Sequence, residues 1–223
     1  MSDMTYRLAR RICQPAFLGC SRPFVLHAQR AAMPGGYILA ANHLSPFDAP
    51  LLIHHTPRRI DFMGAVELRR NPAARRFLGL FNVFYLDRGR ADTGAVLGAV
   101  RRLRQGRVVG IFPEGGVRTA ASSVLSGGAI HRGVAHIADM AAAPVVPAVV
   151  LGGSQFYRVG SWMPMRGTRY GVIYGEPLRV APEPDNSGRF EQFLRQLKGA
   201  YRELAQELIG AMGWSAIDPA QSS

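Results

Sequence analysis

Two side chains able to move a proton stand five residues apart in the run Asn42-His43-Leu44-Ser45-Pro46-Phe47-Asp48. A carboxylate beside an imidazole holds it in one tautomer and stabilises its cation, the orienting role in a triad, here without a serine nucleophile. His43 would then take the proton of an acceptor hydroxyl, a contribution of about 10²–10⁴-fold to rate. Asp48 also has a purely structural reading. Ser45-x-x-Asp48 with Pro46 between them is a helix N-capping pattern. Capping places Asp48 in the first helical turn, facing back toward the loop that carries His43, so the two readings are compatible. Ser45 as a hydrolase nucleophile is a weaker alternative, because no Gly-x-Ser-x-Gly elbow surrounds it. Two further constellations follow. In Phe112-Pro113-Glu114-Gly115-Gly116-Val117-Arg118, an apolar run empties into a carboxylate, two glycines and an arginine, a loop whose backbone N–H groups suit a phosphate, as does Arg118. In Val83-Phe84-Tyr85-Leu86-Asp87-Arg88, an arginine just past a short apolar run is a phosphate anchor or half of a surface ion pair.

These residues need strands and helices to carry them. Apolar strands are expected over 24–27, 37–41, 60–64, 83–86, 107–112, 145–151 and 170–174. A helix opened by Ser45-Pro46-Phe47-Asp48 is expected to run to about 55, and others over 67–80 (interrupted near Asn71-Pro72), 91–105, 132–142 and 189–212, with a loop rich in Ala, Ser and Gly at 119–130. The alternation predicts an α/β domain: a layered arrangement with a largely parallel central sheet flanked by helices. His43 falls at the end of a buried strand, where function collects in such folds. Residues 3–19 read as a basic amphipathic helix, packed either on its own domain or on anionic lipid. The organisation expected is an N-terminal membrane-associating helix over 1–22, a catalytic domain over 23–213 and a loose tail over 214–223. His54 and His55 are expected at the exit of their helix, where a cation is favoured. His131 and His136 are expected to pack or to lie on the surface, and no tight cluster suggests a metal site.

The constellations occur in an order that resembles the 1-acyl-glycerol-3-phosphate acyltransferase family of lysophospholipid and glycerolipid acyltransferases. Residues 42–48 resemble its first motif, His plus four residues plus Asp. Residues 84–88 resemble the second, and 112–115 the third, usually Phe-Pro-Glu-Gly-Thr-Arg. Val145-Val146-Pro147 is similar to the fourth, an apolar strand with a central proline. The resemblance spans about residues 25–175. It implies His43 and Asp48 as catalytic residues, and Arg88, Glu114, Gly115 and Arg118 at the acceptor. It also implies direct transfer from acyl-CoA or acyl-carrier protein to a lysophospholipid, with no metal, no cofactor and no covalent acyl-enzyme. Gly116-Val117 replaces the usual Thr, so Arg118 lies one residue later than the family arginine. A non-phosphate lipid acceptor, or a non-catalytic lipid-binding relative, stays open.

Composition narrows the partners. The 223 residues carry 27 basic and 15 acidic side chains, a net charge of +12, and of the basic residues only Lys198 is a lysine. Arginine recognises phosphate and carboxylate in two-pronged fashion; a GC-rich genome, nucleic acid, anionic lipid or an anionic substrate each account for the excess, and beside the family resemblance an anionic membrane surface is the expected partner. A nucleic-acid role is not expected: the arginines are spread along the chain, with no zinc finger and no aromatic RNA-binding strand. No stretch of about 18 apolar residues predicts a membrane-spanning helix. The N-terminus lacks the apolar core and small-residue cleavage site of a secretory signal. Cys13 and Cys20 alone suggest neither a zinc site nor a disulfide framework. The expected location is peripheral, on the cytoplasmic face of the cell membrane.

Overall fold

Three runs of the chain, 37–41, 108–111 and 145–151, are buried at every residue. Strands apolar on both sides need helices on both faces of their sheet. The structure, a computed structural model, describes residues 6, 10–11, 19–66, 83–86, 93–163, 167–182, 188–215 and 217. Its strands are β1 (Ser21–Leu26), β2 (Tyr37–Ala41), β3 (Ile60–Ala65), β4 (Phe84–Leu86), β5 (Val108–Ile111), β6 (Val145–Leu151) and β7 (Thr168–Tyr174). Its α-helices are α1 (Asp48–His55), α2 (Thr93–Arg104), α3 (Gly133–Ala141) and α4 (Arg189–Met212). The sheet runs β1-β7-β6-β2-β5-β3-β4, and every neighbouring pair is parallel except β6 with β7. The expected layered α/β domain with a largely parallel sheet is the observed one.

Alternation along the strands divides the interior in two. Ile38 and Ala40 of β2 face one core, shared with α2, α3 and the apolar stripe of α4 formed by Phe193, Leu197, Tyr201, Leu204, Leu208 and Met212. Tyr37, Leu39 and Ala41 face the other, closed by Leu51, Leu52 and Ile53 of α1. Pro147 is tolerated inside β6 because of where its missing N–H would fall. The N–H of Val145, two residues earlier, points to Leu178, so that of residue 147 would point the same way. There Gly175 N–H donates to the Pro147 carbonyl (2.8 Å) at the end of the β6–β7 pairing, beyond Ala148–Tyr174, so proline gives up only the reciprocal bond at the end of a strand pair.

Several boundaries differ from those expected. β1 begins three residues earlier and stops before His27, whose φ of 55° ends the extended run. β7 begins two residues earlier, at Thr168, where it pairs with Ser21. The loop at 119–130 contains two short 3-10 turns, Ala120–Ser122 and Val124–Ser126, and buries Val124 and Leu125. The helix expected at 67–80 lies outside the described residues. Of the 3–19 segment, Tyr6, Arg10, Arg11 and Gly19 are described and helical. Tyr6 is buried and accepts the Ile60 N–H, while Arg10 donates to the Thr56 carbonyl, so these two contacts favour packing on the domain. Of the segment taken as a tail, Trp214 and Ile217 rest against the core. Among the described residues no helix is long and apolar enough to cross a membrane.

Candidate active site

Register explains why residues far apart in sequence meet. β2 and β5 are hydrogen-bonded neighbours with Ala40 opposite Ile111. Counting three residues past each brings His43 level with Glu114 at the carboxyl edge of the sheet. β6 flanks β2 on the other side, with Ala41 opposite Ala148. Asn42 extends that pairing with its side chain: Nδ2 donates to the Val150 carbonyl (3.0 Å) and Oδ1 accepts the Val150 N–H (2.7 Å). The chain therefore leaves the sheet rigidly just before His43.

The His43 ring stacks on Phe112, centroids 4.0 Å apart and planes 11° from parallel. Phe112 is backed in turn by Phe62 at 5.5 Å. Nδ1 of His43 donates to Asp48 Oδ2 at 3.2 Å. That one oxygen also accepts the N–H groups of Leu44 (2.7 Å) and Ser45 (2.8 Å). Ser45 Oγ accepts the Phe47 N–H at 3.0 Å, and the Ser45 carbonyl accepts the Asp48 N–H at 3.1 Å. One oxygen of Asp48 thus both orients the ring and ties the turn that leads into α1, which begins at Asp48 itself and carries no side-chain cap on Phe47 ahead of it. Ser45 is fully buried and its Oγ is spent on the turn, which leaves it no access to a substrate. With Nδ1 committed, Nε2 is the nitrogen of His43 left for proton transfer; the side chain is partly exposed.

Asp48 is fully buried, and burial pushes its carboxyl above the usual range, while the His43 bond and charge and the two backbone N–H groups pull it back. Its second oxygen, Oδ1, has no hydrogen-bond partner among the described residues and lies over Gly153 just beyond β6, where an added Cβ would fall 2.5 Å from it. Gly153 is thus required by close approach, a constraint that sequence reading missed.

Glu114 departs from the expectation that it shapes the pocket. Its carboxylate turns inward, 1% exposed, where Oε1 accepts from Ser123 Oγ (2.9 Å), Val124 N–H (3.3 Å) and His43 N–H (3.4 Å). It braces the loop 119–126 against the His43 backbone and offers no face to a ligand. Burial pushes its carboxyl upward too, opposed first by the Ser123 bond. Arg118 anchors the same loop: its N–H donates to the His43 carbonyl at 2.7 Å, and its Nε and NH2 reach the Glu114 carbonyl at 3.3 and 2.8 Å. The side chain is exposed, and by donor inventory three of its five guanidinium N–H groups remain. Gly115 adopts φ +75°, and an added Cβ would lie 2.5 Å from His131 Nε2, so the turn and the ring both demand glycine. Arg88 and Asp87 lie outside the described residues; β4 ends two residues before Arg88.

Beside Phe112 and Gly115 opens a cleft of about 350 Å³ with apolar walls from Met63, Leu86, Val96 and Ile137 and with His131 and Arg132 among its polar lining. Among the described residues, no group of three or more His, Cys, Asp or Glu side chains could hold a metal ion. His54 and His55 do not sit as cations at a helix exit. His55 donates to or accepts from Tyr170 Oη at 2.7 Å and is pushed down to about 3 by burial, with help from the His54 and Arg10 charges. His54 is buried and pushed down as well, first by burial. Desolvation there outweighs the helix dipole. His136 packs against Phe190, ring centroids 4.5 Å apart.

Comparisons with known proteins say which family carries this imidazole and carboxylate. Residues 24–151 match the family model described as Acyltransferase, and the chain belongs to that family. The resemblance read from the four motifs is borne out. A 1-acyl-sn-glycerol-3-phosphate acyltransferase of Bacillus subtilis (strain 168) is 29% identical over 161 residues, 70% of this chain and 74% of that protein. The crystal structure of the 1-acyl-sn-glycerophosphate (LPA) acyltransferase PlsC from Thermotoga maritima superposes with a TM-score of 0.66 at 21% identity, covering 89% of this chain and 79% of that one. That likeness establishes the shared fold.

Proposed function

We propose that this chain transfers a fatty acyl group from a thioester, acyl-CoA or acyl-carrier protein, to the hydroxyl of a lysophospholipid such as 1-acyl-glycerol-3-phosphate. The observation that carries the reading is the His43 Nδ1 to Asp48 Oδ2 bond on a ring whose other nitrogen is uncommitted among the described residues. Nε2 of His43 takes the hydroxyl proton as the acceptor oxygen attacks the thioester carbonyl. The C–S bond breaks, and His43 returns its proton to the departing thiolate. Asp48 stabilises the imidazolium formed in between. The burial of Ser45 Oγ supports direct transfer without an acyl-serine. The apolar cleft behind Phe112 suits a hydrocarbon chain next to the base. Arg88, and the unspent donors of Arg118, hold the acceptor's anionic group; Glu114 and Gly115 set the loop that presents Arg118. The activity for which the Bacillus subtilis relative is named supports a lysophosphatidate acceptor. The enzyme works peripherally on the cytoplasmic face of the membrane, where the net charge of +12 favours anionic lipid.

The test is mass spectrometry of lipids after incubating the purified protein with acyl-CoA and a panel of lysolipids. A new acylated species fixes activity and acceptor class together. His43→Ala should cut the rate by about 10²–10⁴-fold with the fold intact. Transfer at a near-parental rate in that variant refutes the assignment.

A further inference from the structure

Seven large apolar side chains are exposed among the described residues, and four of them fall within residues 157–163: Tyr157 (62%), Val159 (85%), Trp162 (37%) and Met163 (55%). A fifth, Val117, directly precedes Arg118, whose N–H bonds the His43 carbonyl. So dense a patch on a surface otherwise rich in charge marks an interaction site. It is also built rather than loose. Phe156 is buried as an anchor, Trp162 Nε1 donates to the Phe156 carbonyl (2.9 Å), Ser161 Oγ to the Gln155 carbonyl (2.7 Å) and Thr168 Oγ1 to the Ser161 carbonyl (3.1 Å). The 3-10 segments Gly153–Tyr157 and Val159–Trp162 therefore hold the apolar groups outward on a fixed scaffold.

The patch adjoins the reacting groups. Phe47, next to Asp48, lies 5.6 Å from the Tyr157 ring and 5.7 Å from that of Trp162. Gly153, where the segment begins, touches Asp48 Oδ1. Its charge points to one kind of partner. Residues 140–175 contain Arg158, Arg166 and Arg169 and no carboxylate. Arg158 and Arg169 line a hollow of about 360 Å³ beside the patch. Tyrosine and tryptophan with polar tips, aliphatic neighbours and arginine alone among the charged types are the composition of a membrane-interface contact.

We propose that residues 157–163 dock the protein on an anionic bilayer, with Val159, Trp162 and Met163 entering the acyl boundary and Arg158 meeting headgroup phosphates. This contact is separate from the N-terminal segment and sets the mouth of the site against the lipid surface. It rests on the proposed lipid acceptor for its purpose, though not for its detection. Trp162 and Trp214 are the two tryptophans of the chain, so W214F leaves Trp162 as the reporter. Full-length W214F is mixed with vesicles of phosphatidylcholine and phosphatidylglycerol, with and without bromine in the acyl chains, and vesicle binding is measured by sedimentation. Expected are a blue-shifted Trp162 emission, quenching by the brominated chains, and a loss of about tenfold in partitioning for V159D/M163D. R158Q should weaken the dependence on phosphatidylglycerol.

Emission unchanged while the protein sediments with vesicles would overturn the proposal, as would failure to bind vesicles at all. Light scattering that shows a dimer dissolved by V159D/M163D, with no quenching, would assign the patch to a second copy instead. Transfer to a short-chain, water-soluble lysolipid should be unchanged in V159D/M163D. Its absence in the parent would sink the enzymatic reading and leave the quenching result standing.

Discussion

Replacing Asp48 by Asn separates the orienting role of this carboxylate from its capping role. Three N–H donors converge on Oδ2, and Oδ1, over Gly153, has no partner among the described residues. An asparagine must therefore place its carbonyl where Oδ2 lies, since an NH₂ group there would face three donors. In that orientation the His43 tautomer and both capping bonds survive, and only the charge is removed. At the observed 3.2 Å separation and an effective dielectric near 20, the lost attraction to an imidazolium is about 5 kcal/mol. Felt in the transition state, that lowers kcat by about 10³–10⁴-fold. In a site as polarisable as bulk water the loss shrinks to about tenfold.

Stability should move the other way. Burial raises the Asp48 carboxyl in the folded state, so the native protein holds a proton at pH values where the unfolded chain has released it. Its ionisation therefore costs stability as pH rises from the unfolded carboxylate value through the folded one. Asparagine never ionises, so D48N should be at least as stable as the parent at neutral pH. The assay is thiol release from acyl-CoA in the presence of lysolipid, read alongside thermal melting. A D48N enzyme within tenfold of parental kcat would show that Asp48 is a cap and nothing more. A lower Tm together with lost activity would trace the loss to the fold.

Three further outcomes follow from the surrounding contacts. Gly153→Ala inserts a Cβ 2.5 Å from Asp48 Oδ1, and displacing the carboxylate by a fraction of an ångström to 1 Å should cost up to about 10²-fold in kcat, checked by the same thiol assay against D48N. Glu114→Ala strands Ser123 Oγ–H and the N–H groups of Val124 and His43; a destabilisation of about 3 kcal/mol is expected in urea unfolding, whereas Glu114→Gln keeps an acceptor and should lose much less. His55 is held neutral, pushed to about 3 from an ordinary value of 6.5. The unfolded chain therefore binds the extra proton, and stability falls as pH drops from 6.5 toward 3 with a slope of at most about 1.4 kcal/mol per pH unit. Denaturant midpoints across that range should flatten in His55→Gln.

Strands with long apolar runs were legible because burial on both faces leaves no alternation to misread: 37–41 and 145–151 fall where the sequence places them. His43 and Asp48 were legible together because the capping spacing predicts which way the carboxylate faces. What escaped was set by neighbours distant in sequence. Phe112 was read as the end of a strand, yet its ring is the platform under His43. Ser123 sat in a stretch that looked like featureless loop, and its hydroxyl instead anchors Glu114. The inward turn of Glu114 could not be read from a Pro-Glu-Gly turn, which fits a solvent-facing carboxylate equally well. The half-buried setting of His55 depends on Tyr170 arriving from β7, more than a hundred residues later. Helix-end electrostatics alone gave the opposite charge state.

The five-residue step from His43 to Asp48 follows from the way one oxygen is shared. Asp48 Oδ2 reaches Ser45 N–H because Asp48 opens α1 and its carboxylate folds back onto the turn three residues earlier. The same reach brings it to Leu44 N–H and then to the ring of His43, because the chain turns once between the end of β2 and the start of α1. An aspartate one position later would rotate about 100° around the helix, away from the ring. One position earlier, it would take the place of Phe47, whose N–H caps on Ser45 Oγ and whose ring meets Tyr157 and Trp162. The turn that starts the helix is therefore also the device that aims the base. Its geometry is fixed by hydrogen bonds that a substrate never touches, and this is why removing the Asp48 charge alone, with every one of those bonds kept, is the decisive experiment.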